Sequence, residues 1–430
     1  MNKPIAIAAL TLGACISSSA SASTYKVLHD FCAQKNCADG SQPVAGMISD
    51  GAGGFFGTAQ ASGAHNSGVV YRLSKNGTKW AFNTIYAFCS QKNCSDGAMP
   101  KPGLIVDVDG NLYGLTTGGG KNNGGAVFEL SPSGGQWNYQ VIYDLCSKAS
   151  CADGTGPALG KLSYKGAVSG APYDGKSPLF GVTIGGGAHN GGVVFSLTPS
   201  KSGWTEKVLH SFCAEASCTD GGAPYATPYI DDTGNIFGTV PAGGPYGHGA
   251  IYELQRSSDK WKYVLLHGFC ADQSTCADGA TSFSGLFPDG AGNLYGTTEL
   301  GGANLTGSGG AGVVFKLVPN GARSKYSKLY DFCAEANCTD GANPLGTMTM
   351  DTKGNLIGPS ANGGDANNGV LFRLSGAKFT TYTKLMSFNG TDTPGFEPFD
   401  APVIDAHGVM FGTTIGGGTD NTGLIYTFKP

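Results

Sequence analysis

The sequence has 430 residues, of which 13% are charged and 71 are glycine, and its formal net charge is −4. This length is ample for a large hydrophobic core. The nearly neutral charge lacks the basic footprint of proteins that bind nucleic acid or anionic membranes, so we expect no nucleic-acid partner.

The chain begins with a segment that is typical of export, residues 1–22. Lys3 precedes an apolar run that is too short to span a bilayer, and A-S-A at 20–22 is a signal-peptidase cleavage pattern. The letters LGAC, ending at Cys15, also resemble a bacterial lipobox, which leaves lipoprotein anchoring at that cysteine open. We predict a signal peptide over 1–22 and one mature domain over 23–430, secreted, periplasmic or on the cell surface, with no transmembrane segment.

Four strand-like runs follow one another from Pro102 onward: GLIVD, NLYGLTT, GAVFEL and YQVIYDL. They are rich in Val, Ile, Tyr and Phe, and turn residues separate them. The letters DVDGN between the first two runs predict a tight hairpin turn. No stretch shows a sustained helical period, so the fold is predicted to be all-β.

This four-strand unit recurs seven times. The third run reappears as GVVYRL, GAVFEL, GVVFSL, GAIYEL, GVVFKL, GVLFRL and GLIYTF, and the repeat at 164–181 carries an insertion in its first hairpin. Seven four-stranded units predict a seven-bladed β-propeller. The lone first strand, YKVLHDF (25–31), is expected to pair with GLIYTF (423–428) and to close the last blade.

Twelve of the 13 cysteines form six close pairs, as in FCAQKNCADG. An even set of paired cysteines in an exported chain predicts disulfides, because each cysteine has one close neighbour. The predicted bridges are Cys32–Cys37, Cys89–Cys94, Cys146–Cys151, Cys213–Cys218, Cys270–Cys276 and Cys333–Cys338. Each would pin a connection between blades, and the Asp that follows each pair is expected to cap a turn.

The seventh copy of this loop, residues 388–398, lacks both cysteines, and Asp392 is predicted to take the position of the turn-capping Asp. We expect no metal and no cofactor. Tetrahedral zinc would need two cysteine pairs to meet, and DVDGN lacks the loop length and closing Glu of a calcium loop. A cation bound by the ring of Asp residues is a weaker alternative to turn capping.

The motifs GNLYGTT, GGG…GVVF and FC…CxDG resemble the GloVer tandem-repeat family of exported bacterial proteins, over essentially the whole mature chain. The resemblance implies a propeller-like fold and an extracellular or surface location, and it implies no activity. The regular cysteine pairs depart from the commoner members.

The loops between the second and third strands are glycine-rich, and the propeller order places them on the same face as the disulfide loops. Their polar residues, with Asp392, are the candidate ligand-binding residues: His65, Lys121, His189, His248, Glu299, Asp365, Asp420 and Asp392. The competing interpretation is that Asn, Asp and His merely tolerate left-handed turns there.

We predict an exported, monomeric and non-enzymatic binding module for an extracellular polysaccharide, an envelope component or a protein. The alternative is a glycoside hydrolase or polysaccharide lyase that uses carboxylates and histidines at the central mouth of the propeller. A purely structural surface protein is a third option. An enzyme requires at least two of the candidate residues to converge in one cleft.

Overall fold

A computed structural model describes residues 23–258, 260–304 and 309–430. The predicted signal peptide over 1–22, with Cys15, lies outside the described residues. Within them, no helix has the length and apolar character needed to span a bilayer.

Seven antiparallel sheets surround a central axis and form a seven-bladed β-propeller, as the sequence predicts. The first described strand is β1 (Thr24–Asp30). Blades 1 to 3 comprise β2 (Ile48–Ser49), β3 (Phe55–Ala59), β4 (Val69–Asn76), β5 (Lys79–Ala87), β6 (Ile105–Val106), β7 (Leu112–Leu115), β8 (Ala126–Ser133), β9 (Gln136–Asp144), β10 (Leu179–Thr183), β11 (Val193–Ser200) and β12 (Gly203–Ser211).

Blades 4 to 7 repeat the same order, with a very short innermost strand in each. They comprise β13 (Tyr229–Ile230), β14 (Ile236–Val240), β15 (Ala250–Ser257), β16 (Lys260–Gly268), β17 (Phe287–Pro288), β18 (Leu294–Thr298), β19 (Val313–Val318), β20 (Lys325–Asp331), β21 (Thr349–Met350), β22 (Leu356–Ser360), β23 (Val370–Ser375), β24 (Thr381–Ser387), β25 (Val403–Ile404), β26 (Met410–Thr414) and β27 (Leu424–Lys429).

Among the described residues, six single-turn 3₁₀ helices occur in the connections: Lys35–Cys37, Lys92–Cys94, Ala149–Cys151, Ala167–Ser169, Ala216–Cys218 and Ala336–Cys338. Five of them lie inside disulfide loops, and the sixth lies in the insertion of blade 3.

The ring closes as predicted. Strand β1 pairs antiparallel with β27, with Tyr25 opposite Phe428, so that β1 becomes the outermost strand of blade 7. The pairing is irregular between Val27 and His29, and the same irregularity recurs between the third and fourth strands of the other six blades. The closing blade therefore has the same register as the continuous ones.

Blade 3 departs from the four-stranded pattern. Its sheet has three strands, and a single bridge between Ser163 and Phe180 replaces the innermost strand. Residues 164–178, which we call the strap, leave the hairpin and reach blade 2, where the amide of Tyr173 donates to the carbonyl of Val106. The inserted residues therefore form an ordered crossover between two blades.

The core lies between the blades. The second strand of blade 1, β3, is buried along its whole length, and Phe55 packs against Phe411 of blade 7. Gly57 lies in β3 directly over the ring of Tyr71, where a Cβ would overlap the phenol. The glycine of each NLYG-type motif thus leaves room for the aromatic side chain of the neighbouring strand.

Candidate functional site

The six predicted disulfides are all present, each inside the connection from an outermost strand to the next blade. All 12 of these cysteines have positive φ, a conformation that costs an L residue about 1 kcal/mol or more. The cross-link therefore holds a backbone conformation that the loop would not favour by itself.

An Asp holds each disulfide loop from inside, and it is buried in five of the six loops. The sixth, Asp278, is partly exposed and accepts one backbone amide, that of Cys270 at 2.9 Å. The carboxylate of Asp39 accepts hydrogen bonds from the backbone amides of Ala33 (3.1 Å) and Gln34 (3.2 Å). It therefore reaches back across the loop, rather than capping the turn next to itself as the sequence suggested. Three carboxylate hydrogen bonds or more at one buried group form a strong local anchor.

Each Asp also has a side-chain partner on the outermost strand. The pairs are His29–Asp39 (2.9 Å), Tyr86–Asp96 (2.7 Å), Tyr143–Asp153 (2.7 Å), His210–Asp220 (3.2 Å), His267–Asp278 (3.0 Å) and Tyr330–Asp340 (2.7 Å). Burial lowers the pKa of His29 and His210, and the neighbouring carboxylates only partly offset it. Both imidazoles are therefore neutral at pH 7 and donate to the Asp.

The seventh copy of the loop is organised differently from our prediction. Pro394 occupies the position of the capping Asp, because its carbonyl accepts the Tyr25 hydroxyl just as the Asp340 carbonyl accepts the Tyr382 hydroxyl. The side chain of Asn389 caps this loop by accepting the amides of Thr391 and Thr393. Asp392 is exposed and is not the seventh member of the Asp ring. The seventh loop is two residues shorter than the loop at 332–341, so Asp392 lies two residues before the Asp position.

The glycine-rich loops lie on the disulfide loops, and together they form what we call the disulfide face. In blade 1 the amide of Gly63 donates to the carbonyl of Cys37 at 2.9 Å. The same bond recurs in five more blades, as Gly120–Cys94, Gly187–Cys151, Gly244–Cys218, Gly302–Cys276 and Gly364–Cys338. Each disulfide loop therefore positions the neighbouring glycine-rich loop.

The eight candidate residues all lie on the disulfide face, and all except Glu299 are exposed. Two of them form surface ion pairs with residues outside the candidate set: Lys121 with Asp144 (3.4 Å) and Asp365 with Lys384 (2.6 Å). Within the described residues, no two candidates share a hydrogen bond or an ion pair. The structure thus spreads them over one face and does not bring them into contact.

Two candidates have distinctive surroundings. Glu299 is half-buried, and burial raises the pKa of its carboxyl. His248 lies within 4.8 Å of the sulfurs of Cys270 and Cys276. Those sulfurs are bonded to each other, so they are not the thiolates that a zinc site requires.

The innermost strands surround a channel that contains a cavity of about 480 Å³. Residues 46–49 line it, with residues of the innermost segments of the other blades and strap residues between Tyr164 and Pro172. Toward the disulfide face the channel narrows to a pocket of about 30 Å³, lined by Val44, Phe283 and Phe399 among others. The cavity therefore opens on the hairpin face, opposite the disulfide face, and none of the eight candidates lines it.

Of the residues that the structure describes, two charged ones line this cavity, Lys161 and Asp400. Asp400 accepts the amides of Gly46 (3.1 Å) and Ala401 (2.9 Å). Burial raises the pKa of Asp400, and the positive charge of Lys161 opposes that shift. Within the described residues, the ammonium of Lys161 makes no hydrogen bond and no ion pair within 4 Å.

Sequence reasoning missed both residues, although the repeat carries a signal for them. The positions equivalent to Lys161 hold small residues in every other blade: Gly46, Gly103, Thr227, Gly285, Thr347 and Ala401. Asp400 likewise stands where the other blades have Ala45, Pro102, Gly160, Ala226, Ser284 and Gly346. The two charges are therefore local departures from the repeat.

Comparison with protein families accounts for the whole repeat array. The Gloeobacter/Verrucomicrobia repeat profile matches three overlapping segments, residues 9–178, 163–308 and 272–430. The chain belongs to the Gloeobacter/Verrucomicrobia repeat family. The resemblance predicted from GNLYGTT and its companion motifs is thereby confirmed. No curated protein matches this family member.

Solved structures resemble this Gloeobacter/Verrucomicrobia repeat protein in fold alone. The extracellular domain of the hybrid two-component system BT4673 from B. thetaiotaomicron matches 93% of the chain with 10% identity and a TM-score of 0.53. The match spans 39% of the length of that structure. The polysaccharide lyase Uly1 matches 93% of the chain and 91% of its own, with 9% identity and a TM-score of 0.51. At such identities the likeness concerns the propeller architecture.

Proposed function

We propose that this protein is an exported, non-enzymatic binding module whose disulfide face binds an extracellular polysaccharide, an envelope component or a protein. Six disulfides are typical of chains that fold in an oxidising compartment, which supports export. The observation that carries the proposal is the support beneath the face. Each of six glycine-rich loops is fixed to a disulfide loop by a glycine amide and a cysteine carbonyl.

Such a support favours binding because it limits the conformational entropy that the loops lose when a partner is bound. The exposed side chains of His65 and His189, which lie on two of these six loops, then project from a supported surface. A broad face with dispersed polar groups suits a polymer or a protein, whose contacts are distributed, better than it suits a small ligand.

The hydrolase or lyase alternative draws support from Glu299, since a carboxyl with a raised pKa suits a general acid. Such chemistry needs a second catalytic group near the first. Within the described residues, no other candidate side chain forms a hydrogen bond or an ion pair with Glu299. We therefore place binding ahead of catalysis.

The test is a glycan-array and polysaccharide-depletion screen of the mature protein, with product analysis on the same samples. We expect capture without release of oligosaccharides, and we expect capture to weaken in His65→Ala/His189→Ala. The matched control is His407→Ala, because His407 is an exposed histidine in a hairpin turn on the opposite face. Released oligosaccharides that disappear in Glu299→Gln would replace the binding function by the enzymatic one.

A further inference from the structure

The central channel has the features of a ligand site that is separate from the disulfide face. Its cavity of about 480 Å³ falls in the range of small-molecule pockets. The lining includes one cation, Lys161, and one anion, Asp400, so the lining carries no net charge when both are ionised. The other lining side chains are apolar or carry hydroxyl groups.

Hydrogen-bonding groups gather at one level of the channel. Asp400 is held by backbone amides from two blades, so its carboxylate is fixed in place. The hydroxyl oxygens of Thr227 and Thr347 accept the amides of Lys161 (3.0 Å) and Gly285 (3.2 Å). Neither hydroxyl donates a hydrogen bond within the described part of the chain. The level thus offers an ammonium, two hydroxyl donors and a carboxylate acceptor.

Aromatic side chains form one side of the cavity. Tyr229 and Phe287 occupy equivalent positions in the adjacent blades 4 and 5, and both are only partly buried while they line the cavity. Tyr229 is stacked on Phe237, with ring centroids 5.8 Å apart, which fixes its orientation. A sugar ring has one apolar face and a rim of hydroxyl groups, and it matches such a combination of aromatic wall and charged hydrogen-bonding pair.

The two ends of the channel limit the length of the ligand. On the hairpin face, strap residues Ala167 and Pro172 line the cavity and cover part of its mouth. The strap is anchored by Tyr173, which is fully buried and bonded to blade 2. At the other end the channel holds only a small pocket, with a volume of about 30 Å³. A polymer cannot thread through such a channel, whereas a short molecule fits.

We propose that the central channel is a second binding site, which takes a neutral saccharide of one or two sugar residues. In this arrangement Lys161 and Asp400 share the hydroxyl groups of the sugar, and its apolar face lies on Tyr229 and Phe287. An organic anion is less suited, because the carboxylate of Asp400 lines the same cavity as Lys161 and would repel it. This site is independent of the function proposed for the disulfide face.

The test is isothermal titration calorimetry of the mature protein with glucose, galactose, N-acetylglucosamine, cellobiose and maltose, and with glucuronate as the anionic probe. We expect at least one of the five neutral saccharides to bind, with one molecule of saccharide per protein molecule. Lys161→Met should weaken that binding by about tenfold or more, because a charged hydrogen bond is lost. Lys165→Met is the matched control, since Lys165 is exposed and lies outside the lining, and it should leave binding unchanged.

Ala167→Trp provides a second variant that leaves both charges intact. A large side chain on the strap should obstruct the mouth and weaken binding, while the thermal unfolding midpoint of each variant confirms that it is folded. Absence of binding by all five neutral saccharides, equal binding by Lys161→Met, or preference for glucuronate would each overturn the proposal. The variant His65→Ala/His189→Ala should bind the small saccharide normally. A loss of binding in the channel is therefore distinguishable from a loss of binding at the disulfide face.

Discussion

The hydroxyl of Tyr25 donates a hydrogen bond to the carbonyl oxygen of Pro394 at 2.5 Å, which joins the first strand of the described chain to the loop that enters the last blade. The same bond links Tyr326 to Asp278 at 2.5 Å in the middle of the chain. The junction that closes the ring therefore uses the contact that joins consecutive blades elsewhere. Closure of the ring therefore needs no contact that differs from those between the other blades.

Tyr25→Phe should lower the free energy of unfolding by about 1 kcal/mol, the usual contribution of a hydrogen bond of this kind. Tyr326→Phe is the internal control and should cost about the same. Urea denaturation midpoints of the two variants provide the comparison. If Tyr25→Phe left the free energy of unfolding unchanged while Tyr326→Phe lowered it, β1 would not be paired with β27 in solution.

The His–Asp pairs predict a loss of stability in mild acid. Burial places the native pKa of His29 and His210 below the value of 6.5 expected in the unfolded chain. Protonation therefore favours unfolding. The contribution of these residues is complete above about pH 6.5 and is lost as the pH falls through the native pKa. Three blades carry Tyr at this position, so His29→Tyr/His210→Tyr should retain the fold. The thermal unfolding midpoint of this variant should fall less between pH 7 and pH 5 than that of the unchanged protein. An unchanged slope would argue against neutral buried imidazoles.

In the five disulfide loops that have a buried Asp, this residue should dominate the stability of the loop. Asp153 accepts the amides of Ser147 and Lys148 and the hydroxyls of Tyr143 and Ser147. Asp153→Ala removes the buried acceptor that these donors share and should cost about 1–3 kcal/mol in a chemical denaturation measurement. Asp392→Ala should change stability by less than about 0.5 kcal/mol. Comparable losses in both variants would contradict the placement of Pro394 in the Asp position.

A matched pair of glycines in blade 5 tests the packing between strands. A methyl group at Gly296 would overlap the ring of Phe315, so Gly296→Ala should destabilise the protein by about 1–3 kcal/mol. Gly290 has open space around its added Cβ and does not have a positive φ, so Gly290→Ala should be neutral or slightly stabilising. Thermal unfolding of the two variants measures the difference, and equal midpoints would show that the blade can repack.

The disulfide assignment is checked by counting thiols. Alkylation of the unfolded mature protein should modify none of the 12 paired cysteines before reduction and all of them after it. Removing one bridge by Cys213→Ser/Cys218→Ser should cost about 2 kcal/mol, because the bridge closes a short loop in the unfolded chain. Free thiols at any pair before reduction would show that the loops are held by hydrogen bonds alone.

The propeller could be predicted from the sequence because every repeat contains the sequence signals of its own strands and turns. The alternation of apolar residues, the glycines after the second strand and the closely spaced cysteines are local features, and their sevenfold recurrence multiplies a weak signal. Ring closure by β1 followed from counting strands, and the disulfide pairs followed from spacing. The position of Asp392 in the seventh loop was predicted incorrectly. Asn389 caps that loop, which has no cysteine and no Asp in the equivalent position, so the sequence does not mark its alignment with the other six loops.

The sequence by itself thus determined the architecture, the order of the strands and the face on which the disulfide loops lie. The tertiary structure decided where a cavity exists and which residues line it. Lys161 and Asp400 belong to different repeats, and only the convergence of the seven blades on one axis brings them to one level of the channel. Local patterns are set by the period of a strand, whereas a cavity depends on the angles between blades, which no single repeat encodes.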